Sequence, residues 1–370
     1  MWRAAARRDA DGWGGNPARR ASVAHRVTPV LRTVPLNVLD LANRAYGATN
    51  ADAVAGSIRL AKVAESLGYQ RFWVAEHHGM PAIASSAPAV LIAGIAAATE
   101  RIRVGSGGVM LPNHAPLVVA EQFGTLRALY GDRIDLGIGR APGTDMATAA
   151  ALRRTQEGLG AENFPQELLD LIGFFNGGMS DANPLHTITA VPGLGDAPQI
   201  WLLGSSGFSA QVAAALGLPF AFAHHFAGEN TEAALDLYRS KFEPSDDLAQ
   251  PHTMIAVNVI ADADPEVVRA QSLPGMLSFI RMRQGQKPEP ISIDEALAYE
   301  FSQMELDFIA ARNARQAIGT PDEVRGRLAD LLESTGADEL TIASNAATLD
   351  ARIQSIEIVA GLFAAEPAAE

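Results

Sequence analysis

The sequence predicts a closed (β/α)8 barrel. Three observations carry that reading. Eight short β-rich runs alternate with helical patterns along the chain. Its 370 residues suit one large α/β domain. The polar and glycine-rich motifs stand directly after the strands, where a barrel of this kind places its working face.

The elements follow in order. Leu36-Asn37-Val38-Leu39 is the first expected strand. A helix is expected from about Asp52, with Asn50 as cap, a stripe of Val54, Ile58, Ala61, Ala64 and Leu67, and Gly68 as stop. Phe72-Trp73-Val74-Ala75 is the second strand, and a helix covers 87–99. The third strand is 102–105 and is followed by a helix over 117–129. The fourth is 134–138, and a long excursion over 140–198 separates it from the fifth at 200–203. A helix over 209–216, ended by Gly217, leads to the sixth strand at 220–223. The seventh is 253–260, a second long excursion reaches about residue 332, and the eighth is 339–343 with a closing helix over 349–363. The expected organisation is therefore one barrel domain over 34–365 with insertions after strands 4 and 7. Residues 1–33 hold Arg3, Arg7, Arg8, Arg19, Arg20, Arg26 and Arg32 against two acids, and read as a disordered arginine-rich extension.

Composition removes several functions. The net charge of −13, with no cluster of basic residues interleaved with aromatics, disfavours nucleic acid as a partner. The absence of cysteine removes disulfides, thiolate metal sites and cysteine nucleophiles together. No apolar run approaches the roughly 18 residues of a spanning helix, so no membrane role is expected, and a cytoplasmic location is.

Chemistry concentrates at the strand ends. Glu76-His77-His78 follows the second strand. The two histidines could simply close a turn, and neighbours on an extended chain point to opposite faces, which disfavours a shared metal ion. At a barrel mouth, an imidazole beside a carboxylate suits proton transfer. Gly105-Ser106-Gly107-Gly108 ends the third strand; the glycines could form an ordinary turn, or let the backbone lie flat against a planar ligand. Gly139-Arg140-Ala141-Pro142-Gly143 ends the fourth and fails the dinucleotide fingerprint. Its arginine, fixed before a Pro-Gly turn, is suited to clamp a phosphate bidentately. Gly204-Ser205-Ser206-Gly207-Phe208-Ser209 leads into a helix. Phe208 stands where a nucleophile elbow needs glycine, so serine-hydrolase chemistry is disfavoured. Small hydroxyl residues at a helix N-terminus form an anion site, although ordinary N-capping would use the same residues. Finally, His224 and His225 after the sixth strand are either buried structural histidines or part of the pocket lining.

Taken together, these stretches resemble the bacterial luciferase-like monooxygenase family, in its single-chain, non-luminescent, alkanal-monooxygenase-like form. The resemblance runs from about Leu36 to Phe363. It is carried by Trp73 to His78, Ile83 to Pro88, Arg103 to His114, Ala120 to Phe123 and Gly139 to Asp145 in that order and spacing. It implies reduced FMN across the barrel mouth, oxygen and a small organic substrate, and a separate flavin reductase as supplier; it is compatible with a homodimer. His77 matches the family's catalytic histidine. Gly107–Gly108 matches a non-proline cis peptide beneath the flavin ring, and Arg140, Ser206 and Ser209 match phosphate ligands. Ser205 stands where luciferases have a glutamate, His224 where they have a tryptophan near the ring, and Gly139 where they have a reactive cysteine. Light emission is therefore not implied. The expected cofactor-binding set is Gly107, Gly108, Arg140, Pro142, Ser205, Ser206, Ser209 and His224, with no metal ligand. Deazaflavin-dependent hydride transfer on the same fold, and a flavin-binding protein without turnover, stand as the alternatives.

Overall fold

The computed structural model describes residues 34–141, 146–153 and 163–364. The arginine-rich segment and Pro142 lie outside them. Eight parallel strands close on themselves: β1 (Leu36–Asp40), β2 (Arg71–Val74), β3 (Arg103–Met110), β4 (Ile134–Gly139), β5 (Gln199–Gly204), β6 (Phe220–Phe222), β7 (Thr253–Ala261) and β9 (Glu339–Ala343). Closure runs through two registers, Ile255 opposite Leu340 and Val38 opposite Ile342. All eight expected strands are present. A ninth, β8 (Ala317–Gly319), was not foreseen; it pairs only with Val259–Ala261, where β7 projects beyond its other neighbours.

Strand alternation sorts side chains into two layers. Outward-facing Val38, Phe72, Val74, Val104, Leu136, Leu202 and Ile342 join the main apolar cluster beneath the surrounding helices. Inward-facing Leu39, Trp73, Ala75, Trp201, Ala221, Met254 and Ala343 fill the middle of the barrel. Below that plug, toward the strand N-termini, lies an ionic layer. Arg71 bonds Asp135 at 2.8 Å and Glu339 at 2.9 Å, while Asn37 and His252 also bond Glu339. Burial raises the Glu339 pKa, yet hydrogen bonds from His252, Arg71 and Asn37 and the Arg71 charge outweigh it and hold the carboxyl at about 2.

The helices follow from local rules. In α1 (Asn50–Ser66) the cap is Thr49, not Asn50, because Thr49 and Asp52 form a reciprocal capping box. Its buried stripe is Ala53, Ser57, Leu60, Ala61 and Ala64, one position around from the expected one; Val54, Ile58 and Leu67 are only partly buried. α2 (Pro88–Ala98) and α3 (Pro116–Tyr130) both start on proline, where the missing N–H has no partner to lose. The β4–β5 insertion carries α4 (Met146–Arg153) and α5 (Phe164–Asn176). α6 (Gly207–Ala215), a four-residue α7 (His224–Ala227) and α8 (Thr231–Lys241) follow β5 and β6. After β7 come α9 (Pro265–Arg283), α10 (Ile293–Ala298) and α11 (Gln303–Asn313), of which α9 and α11 line one side of the mouth, then α12 (Pro321–Thr335) and α13 (Leu349–Phe363). No helix among the described residues is long and apolar enough to cross a membrane.

Candidate active site

The strand C-termini open into a cavity of about 730 Å3, within the range of small-molecule and cofactor sites. Five motifs read from the sequence contribute to its lining: His77, Gly107–Gly108, Arg140, the Ser205–Ser209 turn and, of the pair after β6, His225.

The glycine stretch does not end β3 but lies inside it. The strand continues to Met110, with a register shift against β4 between Gly107 and Val109 and a cis peptide at Gly107–Gly108. Both positions exclude a side chain. A Cβ on Gly107 would lie 2.6 Å from Leu39 Cδ1, and one on Gly108 would lie 2.7 Å from the Gly137 carbonyl oxygen. Close approach of β4, as well as a bare floor for a ligand, therefore demands glycine here. Substitution at Gly108 would disturb strand pairing and not the cavity alone.

On the adjoining strand ends, Arg140 follows β4 and Ser205, Ser206 and Ser209 surround the start of α6. Ser206 is the N-cap residue, in extended conformation, but its hydroxyl makes no capping bond. Ordinary N-capping is thus not its task, and α6 presents N–H groups and hydroxyls to the cavity together. Gly204 leaves room for Ser209, whose hydroxyl would lie 2.7 Å from any Cβ added there. The Arg140 guanidinium rests 4.4 Å over the Phe208 ring, and no carboxylate among the described residues pairs with it. A cation, hydroxyls and a helix N-terminus within one wall have the composition of an anion cradle.

His77 also faces the cavity, with its backbone N–H bonded to the Ser85 carbonyl. The expected partnership with Glu76 is not made. Being adjacent on an extended chain, the two point apart. Glu76 turns inward, fully buried, and takes bonds from His78 (2.8 Å), His114 (3.0 Å), Asn113 (3.1 Å) and the Met110 N–H (3.0 Å). It thereby ties the end of β2 to the end of β3. Burial raises its pKa, but bonding and charge from His114, then His78 and Met110, bring the net shift below the ordinary value. His77 Nδ1 is buried without a partner among the described residues. Burial lowers the His77 pKa, the Glu76 charge only partly opposing, so the ring is neutral at pH 7.

Of the histidines after β6, His224 is directed away from the cavity. Its Nδ1 lies 2.7 Å from the Thr231 hydroxyl and its Nε2 2.9 Å from the Arg315 carbonyl, so both ring nitrogens are occupied. The neighbouring His225 lines the cavity instead, with Nδ1 3.1 Å from the Ala256 carbonyl. The start of α7 at His224 rotates the pair by one position. Among the described residues no group of three or more potential ligands could hold a metal.

These rings carry a pH signature. Burial pushes His225 down to about 4 and lowers His77 and His224. A depressed folded-state pKa contributes stability that is present above the unfolded value of about 6.5 and lost as pH falls through the folded value. His252, raised mainly by its bond to Glu339, works in the opposite sense and fades as pH rises through its elevated value. Between pH 7 and pH 5, His225 alone should withdraw about 1–2 kcal/mol. Urea unfolding at both pH values should show His225→Gln losing less than the wild type by that margin. Parallel losses in the two proteins would contradict the assignment.

A barrel whose mouth joins an arginine beside hydroxyls, a bare glycine floor and an imidazole on one cavity is built as a small-molecule site. The chain belongs to the luciferase-like monooxygenase family, whose model matches residues 37–339. It is 43% identical over 330 residues to a luciferase-like monooxygenase of Escherichia coli (strain K12), covering 88% of this chain and 96% of that one. It is 35% identical over 304 residues to the N-acetyl-S-alkylcysteine monooxygenase of Bacillus subtilis (strain 168), covering 80% and 89%. Among solved structures, apo-MsnO8 superposes with a TM-score of 0.81 at 37% identity, covering 90% of this chain and 98% of that one. Two more distant structures share the fold alone. One is the oxygenating constituent of 3,6-diketocamphane monooxygenase of Pseudomonas putida, in complex with FMN (TM-score 0.65, 16% identity, covering 89% and 97%). The other is an F420-dependent secondary alcohol dehydrogenase (TM-score 0.62, 13% identity, covering 90% and 100%).

Proposed function

We propose that this protein is an FMN-dependent monooxygenase that uses reduced FMN and oxygen to oxidise a small organic substrate, with the flavin supplied by a separate reductase. The observation that carries the reading is the convergence of one anion cradle, one glycine floor and one neutral imidazole on a single cavity. The relatives above 30% identity whose names state an activity are monooxygenases, whereas the deazaflavin enzyme shares only the fold; this favours oxygen chemistry. The substrate named for the Bacillus relative is a carboxylic acid bearing a thioether, which brings small organic acids within the expected class.

The residues fit the cofactor. Arg140 lacks an acidic partner among the described residues and stands beside free helix N–H groups, so a phosphate would complete both. Reduced flavin, when bound, would supply the activation of oxygen. The chain's own part is position and proton handling. Arg140, Ser206 and Ser209 hold the phosphate end, and Gly107–Gly108 admit a flat ring without side-chain obstruction. His77, whose ring lines the cavity, holds or accepts a proton at the substrate.

Titration with FMN, reduced FMN and deazaflavin tests the reading. FMN absorption bands should shift on binding, and chemically reduced FMN should support oxygen uptake coupled to substrate oxidation. Binding of the deazaflavin alone, or flavin binding with no substrate oxidised across a panel of aldehydes and organic acids, would overturn it.

A further inference from the structure

A second cation faces the cavity from the insertion side. Arg312 on α11 lies 4.3 Å over the Phe279 ring of α9. Phe279 stacks on Phe308 with centroids 5.8 Å apart and planes within 7°, and Arg283 caps the far end 4.7 Å over Phe308. This column fixes a guanidinium that would otherwise swing on a long side chain, and a guanidinium lying over a ring still has its N–H edge available. Arg312 and Phe279 both line the cavity.

Arg140 aside, other arginines withdrawn from water among the described residues find polar partners: Arg133 bonds the Thr99 and Ile102 carbonyls, Arg327 those of Asn313 and Gln316, and others meet acids. Arg71 has Asp135 and Glu339, Arg352 has Asp40, and Arg44, also on the cavity wall, has Glu289 at 3.5 Å. Arg312 has no carboxylate and no hydrogen-bond partner among the described residues. Burial alone acts on it, lowering its pKa. A partly desolvated charge without a counterion is unfavourable, and an incoming anion relieves it. The charge is also well placed: Arg312, His77 and His225 all line the same cavity. Arg140, after β4, answers for the phosphate, leaving Arg312 without a duty toward the same group.

We propose that Arg312 receives the carboxylate of an organic-acid substrate and lays its apolar remainder along Phe279 and Met276 toward His77. This rests on the monooxygenase reading and adds the group that selects the substrate. The protein therefore prefers acids over their neutral esters, and the preference resides in one side chain.

The test is calorimetric titration of the full-length protein with a panel of N-acetyl-S-alkylcysteines and medium-chain carboxylates, each beside its methyl ester. It is run with and without oxidised FMN, so that no turnover occurs. At least one acid should bind ten- to a hundredfold more tightly than its ester, the range of a charge-assisted contact. Arg312→Ala should abolish the difference while leaving ester and FMN affinity unchanged, and Arg312→Lys should restore part of it. No preference for any acid, or a preference that survives Arg312→Ala, would overturn the proposal. Loss of FMN affinity in Arg312→Ala would overturn it too, by moving the residue to the cofactor. Failure of FMN to bind the wild type would strike the monooxygenase reading instead, while the flavin-free titrations would still report on Arg312.

Discussion

Replacing His77 with alanine is expected to leave FMN binding nearly intact while substrate oxidation falls about 100- to 10,000-fold, the usual contribution of a positioned acid–base group. The separation follows from geometry. The anion cradle is built after β4 and at the start of α6, whereas His77 follows β2. Flavin affinity should change by less than about 1 kcal/mol, the scale of one ordinary lost contact. Oxygen uptake should continue but release hydrogen peroxide in place of oxidised product. The pH profile supplies an independent check. Burial depresses the His77 pKa, so the acid limb of the wild-type profile should lie below pH 6.5, where protonation removes the base. That limb should be absent from the mutant. Unchanged turnover at saturating reduced FMN would reduce His77 to a structural residue.

The second large effect concerns the phosphate. Arg140→Ala should weaken FMN binding by about 1.5–3 kcal/mol, the range for hydrogen bonds to a charged group. Riboflavin, which has no phosphate, should bind both proteins alike. The comparison removes the contribution of the Arg140–Phe208 contact, which affects both ligands equally. Fluorescence titrations with the two ligands would decide the matter, and equal losses for both would take Arg140 out of the cradle.

Most of the barrel was legible in the sequence because eight strands of alternating or continuous apolar character were bounded by helix stops. The departures have local causes. β8 is three residues long, too short for any periodicity, and exists because β7 overreaches its neighbours. β3 runs through glycines that weaken a strand signal, and the close approach of Asp135, Leu39 and Gly137 to Gly105, Gly107 and Gly108 explains why they are tolerated. In the candidate site, the positions after the strands could be read directly, since the fold itself assigns them to the mouth. Which way a side chain turns there could not. The exchange of His225 for His224 depends on where a single turn of helix begins, and the separation of Glu76 from His77 on what Asn113 and His114 bring from β3. Arg312 and Phe279 gave no signal at all. An arginine on a polar helix reads as a surface charge until the insertion folds over the barrel.

The aromatic plug and the ionic layer beneath it have a consequence for traffic. Trp73, Trp201 and Met254 are at most 2% exposed, and the Arg71–Asp135–Glu339 layer seals the axis below them. The cavity is therefore closed at its barrel end. Two molecules that share it must enter and leave in sequence, the one nearer the floor first in and last out. With the glycine floor and the cradle assigned to the flavin, a substrate seated under α9 and α11 acts as a cork. Steady-state kinetics should then show compulsory order, with excess organic acid trapping the flavin already inside and slowing its exchange.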